Sequence, residues 1–563
     1  MFARLIPVAA LCAVTLNCGS AAAATVPIAA ASLSGVRDLG SAPASVAVRV
    51  AVVLDYRHAA ELDALTEAQA DPDSPLFHHF LTSAQFDAYF APAPADYARV
   101  IAALQRGGFT IAHTAPNRTV IDAVAPAPVA ARFFATDIHR VLSRDAGRSY
   151  ANVRAGSVPS AIAGAVFAVV GLDAAHRMHP AYAFPPPGRA RAAVPNAVRN
   201  GSPVFGPDGG YGPQVFIRSY DLPAAHGYTG SGRASGVATD NDFLDSDLAG
   251  YLSYFGVKRT GPPTRRVMVD GGPGRGIGPD SVETTLDVET IVSLAPGTAL
   301  YVYEAPYDEP SNSNFIDIYN QVVSDNVVAT LNSSYTYCET AINQIVPGYT
   351  KAVEQVEKQG SALGITFHAA SGDSGSNSYG CNGVSIGEPT DTPHNISVGG
   401  TTLSVDSNGN ETAEVGWSGS GYGTGGGVSV IFGVPSYQTN VPNVISGGRN
   451  IPDIASDADP GTGESFYFEG GFGGPIGGTS LASPTFGAAL TELDQIEKSR
   501  AGWFNVTLYK TWLKYGYKQG STTYFRDITQ GSIPPYNAGP GYDQMSGIGT
   551  MQDANFANLL KKK

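Results

Sequence analysis

Ser480 stands in Gly477-Gly478-Thr479-Ser480-Leu481-Ala482-Ser483-Pro484, a glycine-rich turn that leads into an apolar helical stretch through Phe486, Ala488, Ala489, Leu490 and Leu493. A serine so placed is a candidate nucleophile. Little side-chain bulk surrounds its hydroxyl, and the positive end of the helix dipole lies beside it. Pro484 is expected within the first helical turn, where no amide donor is missed. Capping of the helix by Ser480 or Thr479 uses the same residue types, so both readings stand at this point.

A hydroxyl nucleophile needs a base, and histidine is the common one. Seven of the ten His residues precede residue 200; only His226, His368 and His394 accompany the serine, none of them in a His-Gly-Thr turn. The base is therefore sought among carboxylates. Asp280-Ser281-Val282-Glu283-Thr284-Thr285-Leu286-Asp287 opens a stretch that reads as a helix ending near Pro296-Gly297, and residues four apart on a helix share a face. Glu283 and Asp287 would thus lie side by side, hold one shared proton above the ordinary carboxylic range, and leave one member able to act as base. A capping box of Asp280 and Glu283, with Asp287 in solvent, fits the same residues. A third carboxylate, Asp373, follows the apolar stretch 365–370 in Ser371-Gly372-Asp373-Ser374-Gly375. That is the carboxyl end of a strand, where open α/β sheets bind ligands, although an Asx turn has this composition too.

In order, Glu283, Asp287, Asp373 and Ser480, in E-x-x-x-D, S-G-D-x-G and G-T-S-x-x-x-P settings, resemble the sedolisin family of serine-carboxyl peptidases. Ser397-Val398-Gly399-Gly400-Thr401-Thr402-Leu403, Gly425-Gly426-Gly427-Val428-Ser429, Pro435-Ser436-Tyr437-Gln438, Pro452-Asp453-Ile454 and Ala458-Asp459-Pro460 extend the resemblance over residues 210–549. It implies a subtilisin-like fold in which Ser480 is the nucleophile, Glu283 the general base, Asp287 the carboxyl that orients Glu283, and Asp373 part of the oxyanion hole. A protonated carboxyl donates to a developing oxyanion and an ionised one repels it, so such a site works in acid. The family's Ser-x-Ser-Trp-Gly strand end is Asn332-Ser333-Ser334-Tyr335-Thr336 here, a departure in the substrate cleft. Near the C-terminus the resemblance implies one structural Ca2+, held by the side chains of Asp527 and Asp543 and the carbonyls of Ile528, Gly539 and Gly541; these are the hard oxygen donors calcium takes. The acidic run 240–247 lacks the glycine and glutamate of an EF-hand, and 271–276 lacks a dinucleotide fingerprint. A histidine-based subtilisin-type protease is disfavoured by the His census, and an inactive peptidase-like binding protein by the intact four positions.

The elements that must position these residues divide the 563-residue chain into several units. Residues 1–24 read as a secretory signal peptide, with Arg4, an apolar stretch and Ala22-Ala23-Ala24. Residues 25–180 resemble the family's activation prodomain, smaller and α+β, through Ser74-Pro75-Leu76-Phe77-His78-His79-Phe80-Leu81-Thr82 and Val169-Val170-Gly171-Leu172-Asp173. Residues 181–212, with Phe184-Pro185-Pro186-Pro187-Gly188-Arg189-Ala190-Arg191, have the composition of an exposed linker open to processing. Residues 213–563 form the peptidase unit with the calcium loop. There, strands expected at 236–239, 299–304, 327–331 and 365–370 alternate with helical stretches such as 349–359, which argues for an α/β fold: a mainly parallel sheet with helices on both faces.

After signal removal two cysteines remain, Cys338 and Cys381, and in an oxidising compartment two thiols most simply pair. Residues 1–200 hold 16 Arg, no Lys and 13 acidic residues, so the chain's net charge of −14 arises beyond them. The acidic sign disfavours a nucleic-acid partner, and no apolar run beyond the signal reaches bilayer length. The expected partners are protein or peptide substrates and the prodomain in cis, with the molecule a monomer.

Overall fold

The computed structural model describes residues 26–560 apart from 34, 145, 186–197, 200, 201, 275, 308–312, 346, 347 and 420. The signal peptide expected at 1–24 and the proline-arginine centre of the linker lie outside the described residues.

The N-terminal unit is built on Ala47–Leu54 (β1), whose valines are buried almost throughout. It is flanked by antiparallel Thr110–Thr114 (β2), Val120–Pro126 (β3) and Val166–Val170 (β4) in the order β2-β3-β1-β4. Helix Ala59–Ala70 (α1) follows β1, and Pro94–Arg106 (α2) buries Val100 and Leu104 in the same core. This is the α+β layout expected for the unit.

The larger unit is a doubly covered sheet. In chain order its elements are Ala234–Thr239 (β5), Arg265–Met268 (β6), helix Ser281–Leu294 (α3), Ala299–Glu304 (β7), helix Ser313–Asp325 (α4), Thr330–Ser333 (β8), a short strand Tyr335–Cys338 (β9), helix Tyr349–Ala362 (α5), Thr366–Ala370 (β10), Asn395–Val405 (β11), Glu411–Gly416 (β12), Ile454–Asp457 (β13) and helix Thr479–Glu497 (α6). The order β6-β7-β5-β8-β10-β11 is parallel throughout, β13 joins β11 in parallel, and β12 alone runs antiparallel. Successive strand residues point to opposite faces. Val237 accordingly joins Val288, Ile291 and Val292 of α3, whereas Ala238 joins Ile316 and Tyr319 of α4. The strand expected at 327–331 is shifted to Thr330–Ser333, because pairing with β5 begins only at Ser235 opposite Thr330 and Val327 is exposed.

The two units share one apolar core. Ala51, Val53, Leu62 and Phe86 of the first pack with Ile316, Val353 and Leu363 of α4, α5 and the residue after it. Polar contacts flank that core: Tyr56 donates to Gln359 at 2.7 Å, Asn117 to Asn320 at 2.8 Å, and Lys358 pairs with Asp63 at 2.6 Å. The linker is less exposed than its composition suggests. Ala181 and Ala183 are buried, and so are Phe205 and Tyr211, whose rings join the core around Phe216 and Leu286. Cys338 and Cys381 form a disulfide.

Candidate active site

Gly477 and Gly478 carry the chain from the hairpin ending at Ile476 into α6. At Gly478 φ is +100°, and a Cβ there would lie 2.3 Å from the Ala181 carbonyl oxygen and 2.5 Å from Asp373 Oδ2. Only glycine admits that close approach. Ser480 is the second residue of α6 and completely buried, and the N-cap position belongs to Gly478, so neither Ser480 nor Thr479 caps the helix. Its Oγ donates to Glu283 Oε2 at 2.9 Å, with the Ser334 carbonyl at 3.3 Å. Pro484 does not sit in the first turn: the helix begins at Thr479, which makes Pro484 its sixth residue. A proline there supplies no N–H for the carbonyl four residues earlier, which is that of Ser480.

Glu283 and Asp287 lie one turn apart on α3, a helix buried along its whole length. Asp280 makes no side-chain cap, so the capping box is absent. Ser334, at the turn between β8 and β9, donates through Oγ to Asp287 Oδ1 at 2.7 Å and itself accepts from Asn332 Nδ2 at 3.0 Å. Burial, and then the neighbouring charge of Asp287, push the Glu283 carboxyl well above the usual range, against the opposing pull of its bond from Ser480. Burial also raises Asp287, opposed by the bonds from Ser334 and Asn332. Two carboxyls in this state hold a proton between them at pH values where free carboxylates have lost theirs.

Asp373 follows β10 across Gly372, whose φ is +106°. It does not close a local turn. Its Oδ1 accepts from both the amide and the hydroxyl of Thr479 at 2.8 Å, while Oδ2 has no hydrogen-bond partner among the described residues. Burial raises its pKa to about 7, with the Thr479 bonds opposing.

A stretch of the chain's own backbone crosses this site. His179 and Pro180 pair antiparallel with Thr336 and Tyr335 of β9, and Ala181 N–H donates to the Ser334 carbonyl at 2.9 Å. On the other side Ala183 and Gly477 exchange both backbone hydrogen bonds, at 3.0 and 2.9 Å. Between these anchors the Ala181 carbonyl accepts from Ser480 N–H at 2.9 Å and faces Asp373 Oδ2 across Gly478. The bond from Ala181 to Tyr182 is therefore held extended, with its carbonyl at the hydroxyl-bearing residue. Ser334 and Ala181 are the residues that reading the sequence missed. The departure from the Ser-x-Ser-Trp-Gly pattern marked the strand carrying Ser334, but only folding brings residue 181 there.

Residues 34–175 match the family described as pro-kumamolisin, activation domain. Sedolisin of a Pseudomonas species is 30% identical over 91% of this chain and 87% of its own length. Kumamolisin of a Bacillus species is 31% identical over 91% of each. The chain belongs to the sedolisin family. A solved structure of Pseudomonas sedolisin, a serine-carboxyl proteinase complexed with two molecules of pseudo-iodotyrostatin, superposes with a TM-score of 0.56 and 28% identity over 64% of this chain and all of that one. As a sedolisin-family member with an activation domain, the chain is a serine-type peptidase with a subtilisin-like fold.

No histidine among the described residues reaches the Ser480 hydroxyl. His368 Nδ1 lies 3.0 Å from Ser483 Oγ, and burial lowers its pKa to about 3; His394 pairs with Glu354 and His226 with Asp221. The loop singled out for a cation is also assembled. Gly541 N–H donates to Asp527 at 3.0 Å, Gly539 N–H to Asp543 at 2.9 Å, and the Ser546 hydroxyl links the Ile528 carbonyl to Asp543. Burial first, and then the charges of Asp527 and Asp543, raise the Tyr517 phenol, so both carboxylates lie near that side chain. Their hard oxygen donors, with the loop carbonyls, suit calcium. Among the described residues no helix is long and apolar enough to cross a membrane.

Proposed function

We propose that the chain is the secreted zymogen of an acid-acting endopeptidase that cuts protein and peptide substrates, beginning with its own linker. The observation that supports this reading is the pair of contacts at Ser480: its hydroxyl on Glu283, and its amide on the Ala181 carbonyl. As Ser480 Oγ attacks a carbonyl carbon held at that point, Glu283 takes the hydroxyl proton, and Asp287, oriented by Ser334, stabilises the protonated Glu283 through their shared proton. The carbonyl oxygen becomes an anion that receives the Ser480 N–H and a proton donated in a hydrogen bond from Asp373 Oδ2. Collapse of the intermediate expels the amine, which leaves with the proton carried by Glu283. Water, deprotonated by the same residue, then releases the acyl group from Ser480. Asp373 must keep its proton for this, which sets the preference for acid.

In the precursor the bond in register is Ala181–Tyr182. The signal (1–24), prodomain (25–180), linker (181–212) and catalytic unit (213–563) are then successive parts of one export and maturation route, acting as a monomer without membrane or nucleic-acid partners. A calcium ion, when bound, neutralises the loop carboxylates; Asp527 and Asp543 with the carbonyls of Ile528, Gly539 and Gly541 would hold it. The test is acidification of the purified precursor. Casein digestion should appear together with a mature chain that begins at Tyr182, and neither should appear with Ser480→Ala. A mature N-terminus elsewhere, in dilute protein, would displace the self-cleavage bond; an active Ser480→Ala would remove the nucleophile.

A further inference from the structure

The segment that crosses the site also sets one of its side chains against aromatic neighbours. With Ala181 before the bond in register, His179 is the third residue on its amino side. Its imidazole lies 3.9 Å, centroid to centroid, from the ring of Tyr379, with the rings tilted by 43°. It also lies 6.3 Å from Tyr337, inclined by only 23°. Those are distances at which aromatic pairs attract beyond their buried area.

The pocket is built rather than incidental. Tyr337 is buried, and the backbone of the loop carrying Tyr379 packs closely on it: a Cβ on Gly380 would approach Tyr337 Cζ to 2.7 Å. The Tyr379 carbonyl accepts from Cys338 N–H at 2.9 Å, and the Cys338–Cys381 disulfide closes the same loop onto the strand that pairs with His179. Tyr379 is thus tethered through its backbone and its loop, while the residue as a whole stays 42% exposed.

We propose that Tyr379, backed by Tyr337, is the specificity-determining residue for the third position before the cleaved bond, and selects a flat aromatic or imidazole side chain there. The proposal rests on the peptidase reading of Ser480. In acid the imidazole of a histidine carries a proton, and a cation over a tyrosine face adds a further attraction that a phenyl ring lacks. Histidine should therefore gain on phenylalanine as pH falls below the imidazole range.

The test uses the self-processed enzyme and quenched peptides spanning residues 177–185 that vary only at the third position. His and Phe peptides are expected to be cleaved with kcat/KM about tenfold above the Ala or Glu peptide, the difference lying in KM. Tyr379→Ala is expected to bring that ratio close to one, and Tyr379→Phe to restore it for Phe but only partly for His. Because Tyr379 is an exposed residue, its truncation should leave no buried cavity to unfold the chain, and a thermal melt of the variant checks this. A wild-type enzyme that cleaves every peptide equally, or a Tyr379→Ala enzyme that keeps the tenfold ratio, overturns the specificity role and leaves the peptidase reading intact. A wild-type enzyme that cleaves none of the peptides nor casein at any pH overturns both.

Discussion

Two buried groups of carboxylates in this molecule solve the same electrostatic problem in opposite ways. At the candidate active site, Glu283, Asp287 and Asp373 are held by hydroxyls and amides, from Ser480, Ser334, Asn332 and Thr479, and no cation among the described residues touches them. Where the N-terminal unit meets the catalytic one, Asp122, Asp270 and Asp317 instead surround a guanidinium. Arg49 Nη2 lies 2.6 Å from Asp270, 3.8 Å from Asp317 and 3.9 Å from Asp122, beside a cavity of about 390 Å3 that His113 also lines. Burial raises the carboxyls of the first group unopposed by any cation of the described residues; in the second the guanidinium opposes that rise, although Asp317 still stays raised. The first arrangement makes groups that keep a proton where free carboxylates have lost theirs, as general acid and base chemistry needs. The second makes a junction whose strength rests on one positive charge.

The largest way to break the comparison is at Glu283. Glu283→Gln keeps the shape and removes the base, so kcat is expected to fall by roughly three orders of magnitude or more, with Asp287→Asn costing less because it acts through Glu283. Steady-state rates on casein or a quenched peptide decide it, and near-normal turnover in Glu283→Gln would return the search to the histidines.

Arg49→Met tests the other group. Removing the cation strands three carboxylates, a change of about 3–5 kcal/mol for a buried pair that loses one partner. The sign depends on pH. Burial and the neighbouring carboxylates raise Asp317, so its contribution is present when it is protonated in acid and is lost as pH rises through its folded value. The melting temperature of an Arg49→Met, Ser480→Ala precursor should therefore drop by several degrees at pH 7 and by much less at pH 4. Equal losses at both values would deny the cluster its electrostatic character.

Asp373 sharpens the contrast. Its carboxyl, raised to about 7 by burial, is protonated below that value and ionises above it. Activity should decline as pH climbs through neutrality while circular dichroism still reports a folded chain. Asp373→Asn, whose amide donates at every pH, should show a lower rate with a shallower alkaline limb. Full wild-type activity at pH 8 would end the oxyanion role.

The smallest expected effect belongs to the C-terminal loop that carries Asp527 and Asp543. Chelator should lower the melting temperature of the mature enzyme by a few degrees, and Asp543→Ala should abolish that difference. Identical melts with and without chelator would count against calcium.

Much of the candidate site's layout was legible because it is local. The E-x-x-x-D spacing on a helix sets Glu283 and Asp287 on one face whatever surrounds them, and Gly478 before Ser480 announces a backbone conformation that side chains avoid. Pro484 was misjudged by one turn, since where a helix begins depends on which neighbour satisfies its first amides; here Asp373 and Ala181 accept those of Thr479 and Ser480. The exposed-linker reading failed at Ala181, Ala183, Phe205 and Tyr211, because composition records solubility and not which surface a segment finds.

By itself, then, the sequence determined the reactive residue types, their spacing on helices and strand ends, the α/β alternation and the pair of cysteines. Tertiary structure alone decided that Ser480 meets Glu283 across 197 residues, that Ser334 steadies Asp287, that Arg49 stands among three aspartates from two units, and that Ala181 lies on the Ser480 amide. The reason is physical. Periodicity and capping act over a few residues along the chain, whereas desolvation, charge pairing and strand addition depend on what packing brings together from far apart.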